Sequence, residues 1–249
     1  MSELSKRIGR IQRREVTGGM GFAPARREEP RAMLLAARAS DADSAKSAIE
    51  AGADVVLLEA VKPDGVAAII GALPRSCVGV LVDQLREADA ETLHGSSSDF
   101  VVSPLAATES AAVNTEKMGQ VVAVTGEITD AALRSLGPLG FDALFVQGEA
   151  AAPTLADQLE LVRLASFSGL PLALNVEPGA SVAHLRVLRD SGGAIAIAPA
   201  GASTEDLKQL AETLVAVPAP RRGGRGGDMA LVPAASAPAH DDDETEEPE

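Results

Sequence analysis

Three glutamates close apolar runs where a carboxylate needs a reason to be. Glu59 ends "VVLLE", Glu149 follows "ALFVQGE", and Glu177 follows "LALNVE". Asp83, Gln84, Glu127, Gln147 and Asn175 stand in matching places after other apolar runs, as do Arg38, Ser103 and Thr125. If these runs are strands that share one rim, five carboxylates meet at one mouth: Glu59, Asp83, Glu127, Glu149 and Glu177. Crowded acids gather a divalent cation such as Mg²⁺, or raise one another's pKa for proton transfer. Glu59, Glu149 and Glu177 are the catalytic candidates, and Asp83, Gln84, Glu127, Gln147 and Asn175 the substrate-binding ones. The plainer reading is that strand ends facing water on an acidic protein are simply polar.

A second pattern is a pair of matching turns, "EPGAS" at 177–181 and "PAGAS" at 199–203. Each sets Gly-Ala-Ser before a helical stretch. The amides of Gly179, Ala180, Ser181, Gly201, Ala202 and Ser203 then form a candidate anion or cofactor cradle at two helix N-termini. Gly-Ala-Ser is also ordinary chemistry for starting a helix.

The elements that must position these groups come from a repeat. "GADVVLLEA", "SSDFVVSPLAA" and "GFDALFVQGEA" place Asp54, Asp99 and Asp142 before an apolar run, 45 and 43 residues apart. "GGAIAIAPAGA" at 192–202 is a fourth copy without the Asp. "RAMLLAARA", "CVGVLVDQ", "GQVVAVTGE" and "LPLALNVEP" interleave with these. All eight runs are short and apolar throughout, as strands buried on both faces are. Helical spacing lies between them: Ala45 and Ile49; Leu133 and Leu136; Leu155, Leu159 and Val162; Leu207, Leu210 and Leu214. Ser40–Asp41, Thr129–Asp130 and "STED" at 203–206 suit helix starts, and Gly52, Gly140 and Gly169 suit helix stops. Eight strands alternating with eight helices predict a single α/β (β/α)8 TIM barrel over 31–217, whose active site lies at the C-terminal strand ends. An open flavodoxin-like or Rossmann sheet is the alternative, and no G-x-G-x-x-G follows the first strand to support its dinucleotide form.

With the two Gly-Ala-Ser turns after strands seven and eight, the chain resembles the phosphate-binding TIM-barrel families, which include flavin-dependent and glycerol-phosphate enzymes. The resemblance implies a small anionic ligand at that corner. It departs from the pattern where Glu177–Pro178 replaces a Gly-Gly pair and a lone Gly201 serves after strand eight. "FDALFVQGEA" resembles a stretch of the flavin mononucleotide-binding nitronate monooxygenases, but Ala151 to Pro153 stand where that family's catalytic His follows. "AGADVVLLEA" resembles a strand of the phosphoenolpyruvate mutase and isocitrate lyase superfamily, without its metal-binding Asp pair. Mg²⁺ and flavin mononucleotide are thus the cofactors these patterns admit.

Other chemistries are set aside by absence. No Lys ends a strand, so a Schiff base has only Lys62 as a remote candidate. His94 and His184 fall in helical stretches and His240 in the tail, which disfavours a His-based metal site or triad. There is no Trp or Tyr to stack on a sugar ring, and the single Cys77 opens strand three at the far end of the barrel. Two classes stay open: a carboxylate-based or metal-assisted lyase or isomerase acting on a small anion, and a degenerate barrel that binds or scaffolds. A flavin mononucleotide oxidoreductase is a further alternative.

Charge divides the chain into three. Residues 1–30 form a basic extension in which Leu4, Ile8 and Ile11 recur at helical spacing. It suits docking on a partner, on a second copy or on an anionic surface, or else covering the bottom of the barrel. Residues 39–217 hold 24 acids against ten bases, which argues against a nucleic-acid face. Residues 218–249 combine an Arg-Gly run with eight acids and have the composition of a disordered tail. With no apolar run near the roughly 18 residues of a membrane span, a cytoplasmic protein is expected.

Overall fold

The computed structural model describes residues 2–14, 31–59, 61–74, 76–125, 128–148 and 152–218. After an N-terminal helix α1 (Glu3–Arg14) come β1 (Leu34–Ala39), α2 (Ala42–Glu50), β2 (Val55–Leu58), α3 (Pro63–Gly71), β3 (Cys77–Leu81), α4 (Glu87–Gly95) and β4 (Phe100–Pro104). Then follow β5 (Gly119–Val124), α5 (Asp130–Leu136), β6 (Ala143–Val146), α6 (Leu155–Ser168), β7 (Leu172–Asn175), α7 (Val182–Asp190), β8 (Gly193–Ile197) and α8 (Thr204–Ala216). All eight strands are parallel and β1 pairs with β8, so the sheet closes into the expected barrel.

The alternation breaks once. Between β4 and β5 there is no α-helix, only 3-10 turns at Leu105–Ala107 and Ser110–Ala112. The backbone there is committed elsewhere: Leu85 N–H donates to the Ala107 carbonyl (3.0 Å) and Glu109 N–H to the Leu85 carbonyl (2.9 Å). A helix would have to give these bonds up. The α6 helix forms where expected, but its face is reversed. Leu155 and Leu159 are 72% and 64% exposed, while Leu161 and Leu164 turn inward.

The repeated aspartates bind strand to strand at the N-terminal end. The amides of Asp54, Asp99 and Asp142 donate to the carbonyls of Leu35, Val78 and Gln120 in the preceding strands. The carboxylates of Asp54 and Asp99 accept the Leu35 and Val78 amides (2.9 and 2.8 Å), and that of Asp142 accepts the Ser2 hydroxyl (2.6 Å).

Side chains alternate along a strand. Leu34 and Ala36, Val55 and Leu57, Ala143 and Phe145, and Ile195 and Ile197 fill the barrel with Phe100, Val102 and Cys77. Gly79 makes room for the Phe100 ring, since a Cβ there would lie 2.2 Å from its Cζ. Leu4 and Ile8 of α1 join this core, so the basic extension does cover the barrel bottom. Its apolar face packs on the barrel, and Lys6 and Arg10 face outward. Cys77 is buried beside it, and desolvation pushes its thiol up to about 12. No helix among the described residues is long and apolar enough to cross a membrane. The tail expected over 218–249 lies outside the described residues apart from Pro218.

Candidate functional site at the barrel mouth

The inward register of each strand continues into the mouth. Arg38 follows Leu34 and Ala36, Glu59 follows Val55 and Leu57, Gln147 follows Ala143 and Phe145, and Asn175 follows Ala173. This places a polar layer directly above the apolar core.

Arg38 ties that layer together. Its Nη2 donates to Asn175 Oδ1 at 2.9 Å, across the mouth from β1 to β7. Its Nη1 lies 3.4 Å from Glu59 Oε2, a looser contact between side chains 19% and 25% exposed. Asn175 Nδ2 in turn donates to the Gly148 carbonyl at 2.9 Å. The Nε of Arg38 is buried and has no hydrogen-bond partner among the described residues. A buried donor without a partner is costly and calls for an explanation. Here the guanidinium has two of its three nitrogens engaged, and each of those two carries a second N–H.

The other described candidates differ in exposure. Gln147 is half-buried, whereas Asp83, Gln84 and Glu177 are exposed. Glu127 and Glu149 lie outside the described residues. Among the described residues no three His, Cys, Asp or Glu side chains come together as a metal centre. Glu59 is the one mouth carboxylate among the described candidates that pairs with a cation, Arg38. Ser103 points out of the barrel and accepts from the Thr108 hydroxyl (2.9 Å).

The two matching turns prove unequal. In the second, the Ala202 amide is spent on the Pro199 carbonyl, and the Ser203 amide donates to Asp206 Oδ2 in a reciprocal cap (3.0 Å). Glu205 and Asp206 already place negative charge in the first turn of α8. In the first, the Ala180 amide closes onto the Glu177 carbonyl (3.0 Å), and Ser181 caps α7 through the His184 amide (3.2 Å). The first turn of α7 carries no acid. The amides of Gly179, Ser181 and Gly201 have no partner among the described residues. The two turns thus differ in where their acids lie, Glu177 before α7 and Glu205 and Asp206 within the first turn of α8.

Two groups escape a site drawn from the sequence. Arg38 is visible there as a strand-end cation, but its partner Asn175 is 137 residues away. His184 looks like an ordinary helix position. It lies in the first turn of α7, which follows β7 at the mouth end, and its Nε2 is buried without a partner among the described residues. Desolvation lowers its pKa and the charge of Glu177 offsets part of that, so burial favours the neutral imidazole. The signal available is position: three residues past a Ser cap that follows a strand end.

No family model and no curated protein matches the chain. Solved structures do. KGPDC from Streptococcus mutans, in a ligand complex, is 15% identical with a TM-score of 0.59, covering 75% of this chain and 99% of that one. Tryptophan synthase from M. tuberculosis is 12% identical with a TM-score of 0.61, covering 87% and 98%. Phosphoribosyl anthranilate isomerase from Thermus thermophilus is 16% identical with a TM-score of 0.56, covering 75% and 100%. At these identities the likeness establishes the fold, and it is the fold that the resemblance to phosphate-binding TIM barrels implied.

Proposed function

We propose that the barrel mouth binds a small anionic metabolite, a carboxylate or a phosphate, and acts on it as a carboxylate-based lyase or isomerase. One observation carries this: the Arg38 guanidinium, held by Asn175 and loosely by Glu59, with Nε unpartnered. Barrels of this fold work at this end, and one barrel of similar fold, KGPDC, is described in a ligand complex. An anion seated on Arg38 takes up its spare donors and loosens the 3.4 Å contact to Glu59. Glu59 is then free to accept a proton from the carbon beside a substrate carbonyl. The C–H bond breaks, its electron pair enters the enolate, and Arg38 stabilises the negative charge. Asn175 keeps the guanidinium in place throughout.

The test is thermal unfolding with pyruvate or inorganic phosphate, comparing the native chain with Arg38→Met. A ligand at about 100 times its Kd stabilises by about 2.7 kcal/mol, several degrees for a domain of this size. The shift should vanish in Arg38→Met. No shift at millimolar ligand, or an equal shift in both proteins, sinks the reading. A non-catalytic binding or scaffold barrel is then the better description.

A further inference from the structure

Where β4 passes to β5 without an α-helix, a cleft of about 350 Å³ lies between α4 and the outer face of β5. Gln120, the second residue of β5, lines it. Its neighbours Val121 and Ala123 face the barrel interior, so Gln120 shares the outer face with Val122 and Val124. It is only 3% exposed, a buried amide on a face that is otherwise valine. Its Nε2 donates to the Ala112 carbonyl at 3.0 Å, which fixes the orientation of the amide, because a carbonyl accepts only from the N–H side. The Oε1 then has no donor among the described residues. It is not one of the fully enclosed atoms without a partner, so it opens onto the cleft. A buried acceptor is costly unless something donates to it. Glu87 and Glu91, one turn apart on α4, line the same cleft, as do Lys117 and an exposed His94. None of these three charged groups is in an ion pair among the described residues. Solvated acids are ordinary on an acidic chain; the bare Gln120 oxygen beneath them is not.

We propose that this cleft binds a small organic cation, an ammonium or guanidinium group on a short apolar body. The groups offered to a ligand are mainly acceptors: Gln120 Oε1 and the carboxylates of Glu87 and Glu91. Two acids against Lys117 leave one negative charge when His94 is neutral, which suits a monocation rich in N–H donors. The N–H groups donate to Gln120 Oε1, Glu87 and Glu91 balance the charge, and the apolar body lies on Ala90 and Met118. The volume is that of small-molecule sites, which pair apolar walls with few polar groups. Gln120 stands near the N-terminal end of its strand, so the cleft is on the flank of the barrel and not at its mouth. This ligand is therefore not the anion proposed for Arg38, and the two readings stand or fall separately.

The test is ligand-observed NMR with n-butylammonium, n-butyltrimethylammonium and 5-aminopentanoate. n-Butylammonium should bind saturably. Permethylation keeps the charge and removes every N–H donor, so n-butyltrimethylammonium should bind about tenfold or more weakly. Gln120→Leu removes the acceptor at similar size and should abolish that preference. Glu91→Gln, at an exposed position, should weaken n-butylammonium about twofold to fivefold. 5-Aminopentanoate adds a carboxylate to the same carbon chain and should gain nothing that depends on Lys117. Equal affinity of the two butyl cations in the native chain overturns the inference, and that comparison needs no variant to fold. A preference that survives in Gln120→Leu also overturns it, as does failure of n-butylammonium to bind. Binding that is equal in the native chain, Gln120→Leu and Glu91→Gln is diffuse attraction to an acidic chain and overturns it too. Tighter binding of 5-aminopentanoate that is lost in Lys117→Met makes the ligand a zwitterion and overturns the cation class.

Discussion

The two ends of this barrel are built on different terms. At the N-terminal end, Leu4 and Ile8 seal the core, and Asp54, Asp99 and Asp142 bond to the strand beside them or to the chain at the start of α1. At the C-terminal end, Arg38 has an orphaned Nε, His184 has an orphaned Nε2, and Asp83, Gln84 and Glu177 face water. One end satisfies its groups and the other holds some in reserve. That is the division expected of a barrel whose bottom supplies stability and whose top supplies function.

The largest effect that can break this comparison is at the bottom. Leu4 is fully buried, so Leu4→Ala should cost about 2–5 kcal/mol in urea unfolding. It should also speed thiol labelling of Cys77, which shares that core and is otherwise inert. At the mouth, Arg38→Met should change stability by no more than about 1 kcal/mol. The pair is loose at 3.4 Å and both side chains reach solvent, so Glu59 keeps access to water when Arg38 is removed. If Arg38→Met costs more than Leu4→Ala, the mouth is holding the fold together and the division is wrong.

The same contrast explains what can be read from the sequence. The strands are legible because parallel strands buried on both faces are unbroken apolar runs, as in "VVLL" of β2. Helix starts are legible because Asp41, Thr129 and Ser203 cap locally, within three residues. The missing fourth helix is not, because the bonds that replace it join Leu85 to Ala107 and Glu109, about 22 residues apart. The α6 face misleads because Leu155, Leu159 and Val162 have perfect helical spacing yet face solvent. At the mouth, positions are legible and directions are not. The pattern brings Glu59 and Asn175 to one rim but cannot show that a single arginine joins them.

The smallest effect sharpens the picture of the bottom, where satisfaction still has a cost. Asp142 is largely buried, and desolvation raises its pKa above the ordinary 3.8, with the Ser2 hydroxyl offsetting only part. A Cβ on Gly119 would lie 2.5 Å from its Oδ2, which shows how closely the carboxylate is enclosed. Because the folded pKa is raised, the folded chain takes up this proton at higher pH than the unfolded chain does. The favourable contribution is complete below 3.8 and is lost as pH rises through the folded value. At pH 7 the charge is therefore a burden that Asn, which can still accept from Ser2, does not carry. Asp142→Asn should be more stable than the native chain at pH 7, with the gap closing as pH falls towards 4. Urea unfolding of both proteins at several pH values measures the gap, and taking the difference cancels the titration of every other group. A gap that widens on acidification would mean the fold stabilises this carboxylate, making Asp142 a charged clamp on α1 rather than a tolerated burial.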